Sequence, residues 1–398
     1  MYKFKKDNMI VPSFIWSKKG SIEKEAIQQI KNASSLPFAF HHTALMPDGH
    51  FGYGAPIGGV LATKGVIVPN FVGVDIGCGM CAVKTSLTEI DQKTLIKIMT
   101  DIRLTIPLGF RKHQKAQDEK LMPEIKKYEK ECFMDECPIV YQEFDNAQKS
   151  LGTLGGGNHF IEIQKGDDGH IWIMLHSGSR NLGYKVAKHY NKVSQDLCNK
   201  WYSNIPPFKG EDGLSFLPTD SEEGQAYIKE MQYCVEFALA NRELMMERVI
   251  QAVANNTNQT GFDTMINIAH NYASLENHYN RNVWVHRKGA TLARQGIIGI
   301  IPGSMGTKSY IVEGLGNKES FESCSHGAGR RMGRKEAQRT LNLAHEQEIM
   351  KDVIGAPRSQ NELEEAPSAY KDIKTVMENQ KDLVKILVEL TPLAVIKG

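Results

Sequence analysis

The sequence predicts an α+β fold, laid out as a single large domain over residues 1–398 with mixed sheets and peripheral helices. Three observations predict it. Short segments alternate apolar and polar residues with the period of half-buried strands, and glycine-rich loops separate them. Stretches of helix-forming composition lie between these segments. No internal repeat, low-complexity tract or flexible linker divides the chain. Length alone allows two or three domains, and the missing linker favours one. A chain of this size buries a full core without disulfide staples.

In chain order, Phe71-Val72-Gly73-Val74 reads as a strand leading into Asp75-Ile76-Gly77-Cys78, and Cys81-Ala82-Val83-Lys84-Thr85 as another. Pro123–Cys132 is heavily charged and reads as a solvated helix, with Pro123 suited to its first position. Asn158-His159-Phe160-Ile161-Glu162-Ile163 alternates from its histidine onward, and the strand His170–Leu175 runs into His176. Ser221–Asn255 has helix-forming composition, with Ser221 as cap, an acidic first turn, and Met231, Met245 and Met246 as core packing. The strand Thr264–Ala269 runs into His270. Ile301-Pro302-Gly303-Ser304-Met305-Gly306 forms a hairpin loop before the strand Ser309–Val312. Arg334–Met350 reads as one helix, and Gly355–Pro367 as a long surface loop. Polar residues at strand ends are where a rigid scaffold delivers chemistry.

Composition sets limits. Net charge is +2, from 48 basic and 46 acidic residues, too balanced for a protein that grips nucleic acid by bulk charge. Any such contact relies on local patches. The apolar runs Ile297–Ile301 and Leu383–Leu390 are too short or too interrupted to span a membrane. The N-terminal residues lack the pattern of a signal peptide. The seven cysteines therefore fit the reducing cytoplasm, as thiols or metal ligands.

Glycine clusters adjoin several histidines and cysteines, and glycine lets backbone N–H groups approach a ligand. Asp75 and Cys78 lie three apart in one such turn, while His159, His176 and His270 stand at strand edges. Together they offer the O, S and N donors preferred by Mn²⁺, Zn²⁺ or Co²⁺, unlike an all-oxygen Mg²⁺ or Ca²⁺ site. Spacing alone leaves open whether they share a site or are ordinary structural side chains. Cys78-Gly79-Met80-Cys81 has the form of a redox or zinc dithiol, but it lacks a following helix and a second pair. His326 precedes a basic glycine-rich segment, Gly327-Ala328-Gly329-Arg330-Arg331-Met332-Gly333-Arg334, at the start of a predicted helix. Arginines, backbone N–H groups and a helix N-terminus suit an anion. His326 is there either a nucleophile toward phosphorus or a packing residue in a nucleic-acid-binding loop. No Walker-type or dinucleotide fingerprint is present.

At these residues the chain resembles the RtcB family of RNA ligases. The matching motifs run in the family's order. They are Met46-Pro47-Asp48-Gly49-His50, Val72–Met80, Gly157–Glu162, His176–Arg180, His270-Asn271-Tyr272, Val285–Ala290, Pro302–Gly306 and Ser325–Arg330, with the end Ile396-Lys397-Gly398. The resemblance implies mixed sheets around a dinuclear metal site. Asp75, Cys78, His159, His176 and His270 would hold two Mn²⁺ ions, replaceable by other divalent metals, with the Cys78 thiolate bridging them. His326 would attack GTP and carry GMP. GTP would be bound by Asn158, His159, Phe160, Ile161, Glu162, His270, Asn271, Pro302, Gly303, Ser304, Met305, Ser309, His326, Gly327, Ala328 and Gly329. Lys397 would read the guanine, Tyr370 would stack on it, and Arg180 would hold an RNA phosphate.

The implied partners are RNAs with 3′-phosphate or 2′,3′-cyclic phosphate ends and 5′-hydroxyl ends, in RNA repair or tRNA splicing, with an archease-like activator. Gly49 and Gly156 depart from the family's commoner residues, which bears on loop rigidity and RNA fit. Two other functions stand beside sealing. One is RNA-end processing, by cyclic phosphodiesterase activity or 3′-end guanylylation. The other is metal-stabilised RNA binding without catalysis.

Overall fold

Two large sheets carry the architecture seen in a computed structural model, which describes residues 1–124, 136–201, 203, 213–259 and 261–398. The first has six strands, in the order Tyr2–Phe4, Ser13–Ile15, Ala39–His50, Ile57–Thr63, Arg281–Lys288 and Asn271–His278. It is mixed, because Ser13–Ile15 runs parallel to Ala39–His50 while the other neighbours are antiparallel. The second has seven antiparallel strands, in the order Ile266–Ala269, Gly79–Lys84, Ile171–Ser177, Phe160–Gly166, Val384–Lys397, Ser309–Gly314 and Ile298–Ile301. The α+β expectation holds.

Register in the second sheet sorts its side chains. Met80 and Phe160 both lie opposite His176, so all three point to one face. Met80, Ala82, Phe160 and Met174 pack there with Ile300 and Met305. The intervening residues Cys81, Val83, Ile161, Ile163, Ile173 and Leu175 point to the other face. They meet Leu95, Ile98 and Ile102 of the helix Gln92–Thr105 and Met245, Met246 and Val249 of the helix Glu222–Thr257. Each aliphatic side chain fully buried in this way contributes about 1.5–3 kcal/mol. Cys81 thus faces away from Cys78, which removes the dithiol alternative. Cys78, Cys81, Cys137, Cys198, Cys234 and Cys324 are all buried free thiols.

The helix Glu222–Thr257 begins as its sequence suggests. Ser221 Oγ accepts from the backbone N–H of Gly224 at 3.1 Å, two glutamates fill the first turn, and Asn258 ends the helix at φ 56°.

Three local expectations are corrected. Phe71–Val74 is not a strand, because Pro69–Val72 forms a short helix with Pro69 at its start. Asn70, Phe71 and Val72 are buried, and a run covered on all sides shows no period to read. Arg334–Met350 is two helices, Arg334–Thr340 and Leu343–Ile349. Asn342 Oδ1 accepts from His345 N at 3.0 Å and caps the second, since asparagine favours a cap over a helix interior. Gly355–Pro367 contains the 3₁₀ helix Gln360–Glu365, with Leu363, Glu365 and Ala366 buried, so it is packed structure rather than a surface loop. The helix expected at Pro123–Cys132 lies outside the described residues from 125 on. Among the described residues no helix is long and apolar enough to cross a membrane.

Candidate active site

The second sheet gathers the sequence-predicted donors at one end. Cys78 precedes Gly79–Lys84, His176 lies near the end of Ile171–Ser177, His159 precedes Phe160–Gly166, and His270 follows Ile266–Ala269. Gly79 pairs with both Ser177 and Ala269, and His176 with Phe160, so antiparallel order brings four separated stretches to one edge. Cys78 Sγ lies 3.1 Å from His176 Nε2 and 3.4 Å from His159 Nε2. His176 Nε2 is 3.4 Å from His270 Nε2, and Asp75 Oδ2 is 3.2 Å from His159 Nε2. The donors form two triads, Asp75–Cys78–His159 and Cys78–His176–His270, which share the sulfur.

Surrounding carbonyls aim the imidazoles. His159 Nδ1 donates to Leu154 O at 3.0 Å and His176 Nδ1 to Asn158 O at 3.1 Å, which turns each Nε2 toward the cluster. His270 differs, since its buried Nδ1 has no hydrogen-bond partner among the described residues. Burial holds His176 and His270 neutral, far below the usual histidine range. Burial and the Asp75 carboxylate push the Cys78 thiol well above its ordinary value. Asp75 would be raised by burial, but contact with His159 keeps its carboxyl below the usual range. Two groups of O, S and N donors converge on one sulfur, and this donor set fits borderline divalent ions.

A residue pair behind the cluster had no sequence signal. Arg242 is fully buried and donates to Gly77 O and Ser177 O, each at 2.9 Å, and to Asn267 Oδ1 at 2.7 Å. It thereby ties together the segments bearing Cys78, His176 and His270. Asn241 Oδ1 accepts from Gly152 N at 2.7 Å and Thr153 N at 3.1 Å, and its Nδ2 donates to Gly178 O at 3.1 Å. Both sit in a helix whose composition reads as ordinary.

A cavity of about 430 Å³ has His176 and His326 in its wall, and the His326 ring centroid is 4.8 Å from that of His270. Asn158, Phe160, Glu162, the segment Pro302–Met305, the loop His326–Gly329, Tyr370 and Lys397 also line it. Ile161 turns into the core beneath the helices. Ser309 Oγ accepts from Gly303 N at 3.1 Å and so supports the wall from behind. Asn271 bridges two loops, accepting from Gly289 N at 2.7 Å and donating to Asp75 O at 3.0 Å.

His326 is held by Asp48, whose place in Met46–His50 gave no hint of its use. Its Nδ1 donates to Asp48 Oδ2 at 2.6 Å and its backbone N–H donates to the same oxygen at 3.1 Å. Burial would raise the Asp48 carboxyl, but His326 holds it below its ordinary value. With Nδ1 engaged, Nε2 is the nitrogen left for chemistry. Gly329 adopts φ 75°, and a side chain there would collide with the Asp48 carbonyl. At the departure noted above, a Cβ on Gly49 would lie 2.9 Å from the Met46 carbonyl oxygen and 2.8 Å from Leu45 Cδ1, so a larger residue there would need its surroundings to shift.

Glu365 ties the rim together. Its buried carboxylate accepts from Arg330 Nη1 at 2.9 Å, Arg334 Nε at 2.8 Å and the Tyr370 hydroxyl. Arg330 also lies over the Tyr370 ring, 5.2 Å from its centroid. The helix Arg334–Thr340 has seven residues, so anion attraction here rests on the arginines and backbone rather than a long helix dipole. Lys397 pairs with Phe160 across the sheet, and its Nζ is 5.6 Å from that ring. Burial pushes the Glu162 carboxyl up to about 8, although Lys397 and Gln164 oppose it. Arg180 stands apart from this cavity, at φ 59°, donating to Thr153 Oγ1 and Gly109 O, each at 2.9 Å.

This arrangement accords with sequence comparison. A family model described as tRNA-splicing ligase RtcB matches residues 29–398. The RNA-splicing ligase RtcB of Escherichia coli (strain K12) is 39% identical over 403 residues, covering 97% of each chain. The tRNA-splicing ligase RtcB of Pyrobaculum aerophilum is 31% identical, over 94% of this chain and 91% of its own. That of Thermococcus kodakarensis is also 31% identical, over 100% of this chain and 96% of its own. By match length and by identity, the chain belongs to the RtcB family.

Proposed function

We propose that this protein is a GTP- and Mn²⁺-dependent RNA ligase, working as one domain in the cytoplasm, that joins 3′-phosphate or 2′,3′-cyclic phosphate ends to 5′-hydroxyl ends. The observation that carries the reading is His326, anchored at Nδ1 by a buried aspartate, in the wall of a cavity shared with His176. Nε2 of the neutral imidazole attacks the α-phosphorus of GTP. The bond to the β-phosphate bridging oxygen breaks, pyrophosphate leaves, and the Nδ1 proton stays on Asp48's hydrogen bond as the ring becomes cationic. An oxygen of the RNA 3′-phosphate then attacks the same phosphorus, breaking the P–N bond and restoring His326. The 5′-hydroxyl of the second end attacks the activated 3′-phosphorus, giving its proton to solvent, and the bond to the bridging oxygen breaks to expel GMP. A cyclic phosphate end is first opened by water.

Asp75, Cys78, His159, His176 and His270 would hold two Mn²⁺ ions, which when bound would supply charge stabilisation for the attacking and leaving oxygens. Asn158, Ser304 and the backbone of Gly327–Gly329 orient the phosphates. Lys397 and the protonated Glu162 face the guanine, Tyr370 lies against it, and Arg180 holds an RNA phosphate. An archease-like protein serves as activator.

The test is product analysis on two RNA strands, one ending in a 3′-phosphate and the other in a 5′-hydroxyl, with GTP and Mn²⁺. A joined strand with a resistant phosphodiester is expected. Hydrolysis or guanylylation of the 3′ end without joining favours the end-processing reading, and RNA binding with no chemistry favours the binding protein.

A further inference from the structure

Phe110 is completely exposed, at 101% of its reference surface, in a turn that is otherwise firmly tethered. Gly109 N donates to Gly155 O at 3.0 Å, Leu154 N donates to Pro107 O at 3.0 Å, and His113 N donates to Lys149 O at 2.9 Å. Arg180 Nη2 donates to Gly109 O at 2.9 Å. Gly155 in turn packs so closely on Arg180 and His159 that a side chain there would collide with both. The exposed ring thus sits one residue from a carbonyl gripped by Arg180, on a turn hydrogen-bonded to the Leu154–Gly155 segment that backs a metal-type histidine.

Leaving a phenylalanine in water forgoes about 1.5–3 kcal/mol of burial, which is readily understood if a ligand covers it. The surrounding charge says which ligand. From Phe110 to Ala116 the chain reads Phe-Arg-Lys-His-Gln-Lys-Ala, with three cations and no carboxylate. The Glu143 carboxylate nearby is already paired with Lys185 at 3.5 Å. An aromatic face set among cations suits a stacked base beside its phosphates, and it suits an apolar protein surface poorly.

We propose that Phe110 is a stacking platform for a base near a single-stranded RNA end, with Arg111 and Lys112 against its backbone. The inference rests on the ligase reading and adds to it a contact outside the nucleotide cavity. It fixes where the strand leaves the site, over the turn Pro107–His113.

The experiment is fluorescence anisotropy of a labelled single-stranded RNA with the full-length, Mn²⁺-loaded protein. Phe110→Ala should weaken binding roughly 5- to 150-fold, the range for losing one base–aromatic stack, while Phe110→Trp restores it. Removing the bases of the terminal nucleotides, with the backbone kept, should erase the difference between wild type and Phe110→Ala. Unchanged binding by Phe110→Ala, a deficit that persists on abasic RNA, or no RNA binding by wild type overturns the proposal. Labelling of wild-type protein by GTP is measured in parallel, and its failure sinks the ligase reading without altering the anisotropy comparison.

Discussion

Asp48 Oδ2 lies 2.6 Å from His326 Nδ1, and Asp48 is fully buried. A carboxylate in this place fixes the ring's orientation and tautomer and stabilises the cationic ring that forms when Nε2 attacks phosphorus. Asp48→Asn keeps the shape and removes the charge. GTP binding should persist, while single-turnover guanylylation should slow by roughly 10²–10⁴-fold. A wild-type rate in this variant would contradict the role.

Two donor triads share one sulfur, and that predicts unequal consequences for loss of each ligand. After Mn²⁺ loading, wild type should hold two ions per chain. Asp75→Ala and His270→Ala should each retain one, because each leaves the other triad intact. Cys78→Ala should weaken both. Metal analysis decides, and two tightly held ions in Cys78→Ala would be incompatible with a bridging thiolate.

Glu162 gives a pH dependence with a definite sign. Burial lifts its carboxyl from 4.5 to about 8, so between those values the folded protein keeps a proton that the unfolded chain has lost. Stability therefore falls as pH rises through this window. Glu162→Gln should remove that component, giving a flatter stability curve in urea unfolding of the metal-free protein at pH 5, 6.5 and 8. Parallel curves for the two proteins would refute the assignment.

Arg242 donates to two backbone carbonyls and a side-chain amide behind the cluster. Arg242→Met leaves buried acceptors without partners and should cost at least about 2 kcal/mol of stability. Metal affinity should fall with it, since the tethered segments carry Cys78, His176 and His270. Urea unfolding and Mn²⁺ titration together test this, and wild-type values in both would show that the tether is dispensable.

The chain made its strands and donors readable because the second sheet is built from short alternating segments ending in polar residues. His176 and His270 stood out by following such segments directly, and His326 by its glycines and arginines. What stayed hidden was hidden for physical reasons. Asp48, Arg242 and Glu365 act through partners as far as 278, 165 and 35 positions away, and no local period marks such pairing. Pro69–Val72 lost its helical signature to burial on every side. Gly355–Pro367 looks loop-like because its 3₁₀ helix spans only Gln360–Glu365, too short to show a period, and one of its two buried residues there is the charged Glu365. Lys397 was found through resemblance alone, since a lysine near a terminus carries no pattern.

The most direct measurement is covalent labelling. Mn²⁺-loaded protein is incubated with GTP labelled in its α-phosphate, denatured, and compared with His326→Ala and Cys78→Ala. The account predicts acid-labile label on the wild-type chain, lost in His326→Ala and sharply reduced in Cys78→Ala. Label that survives in folded His326→Ala, or its absence from folded, metal-loaded wild type, would contradict histidine guanylylation.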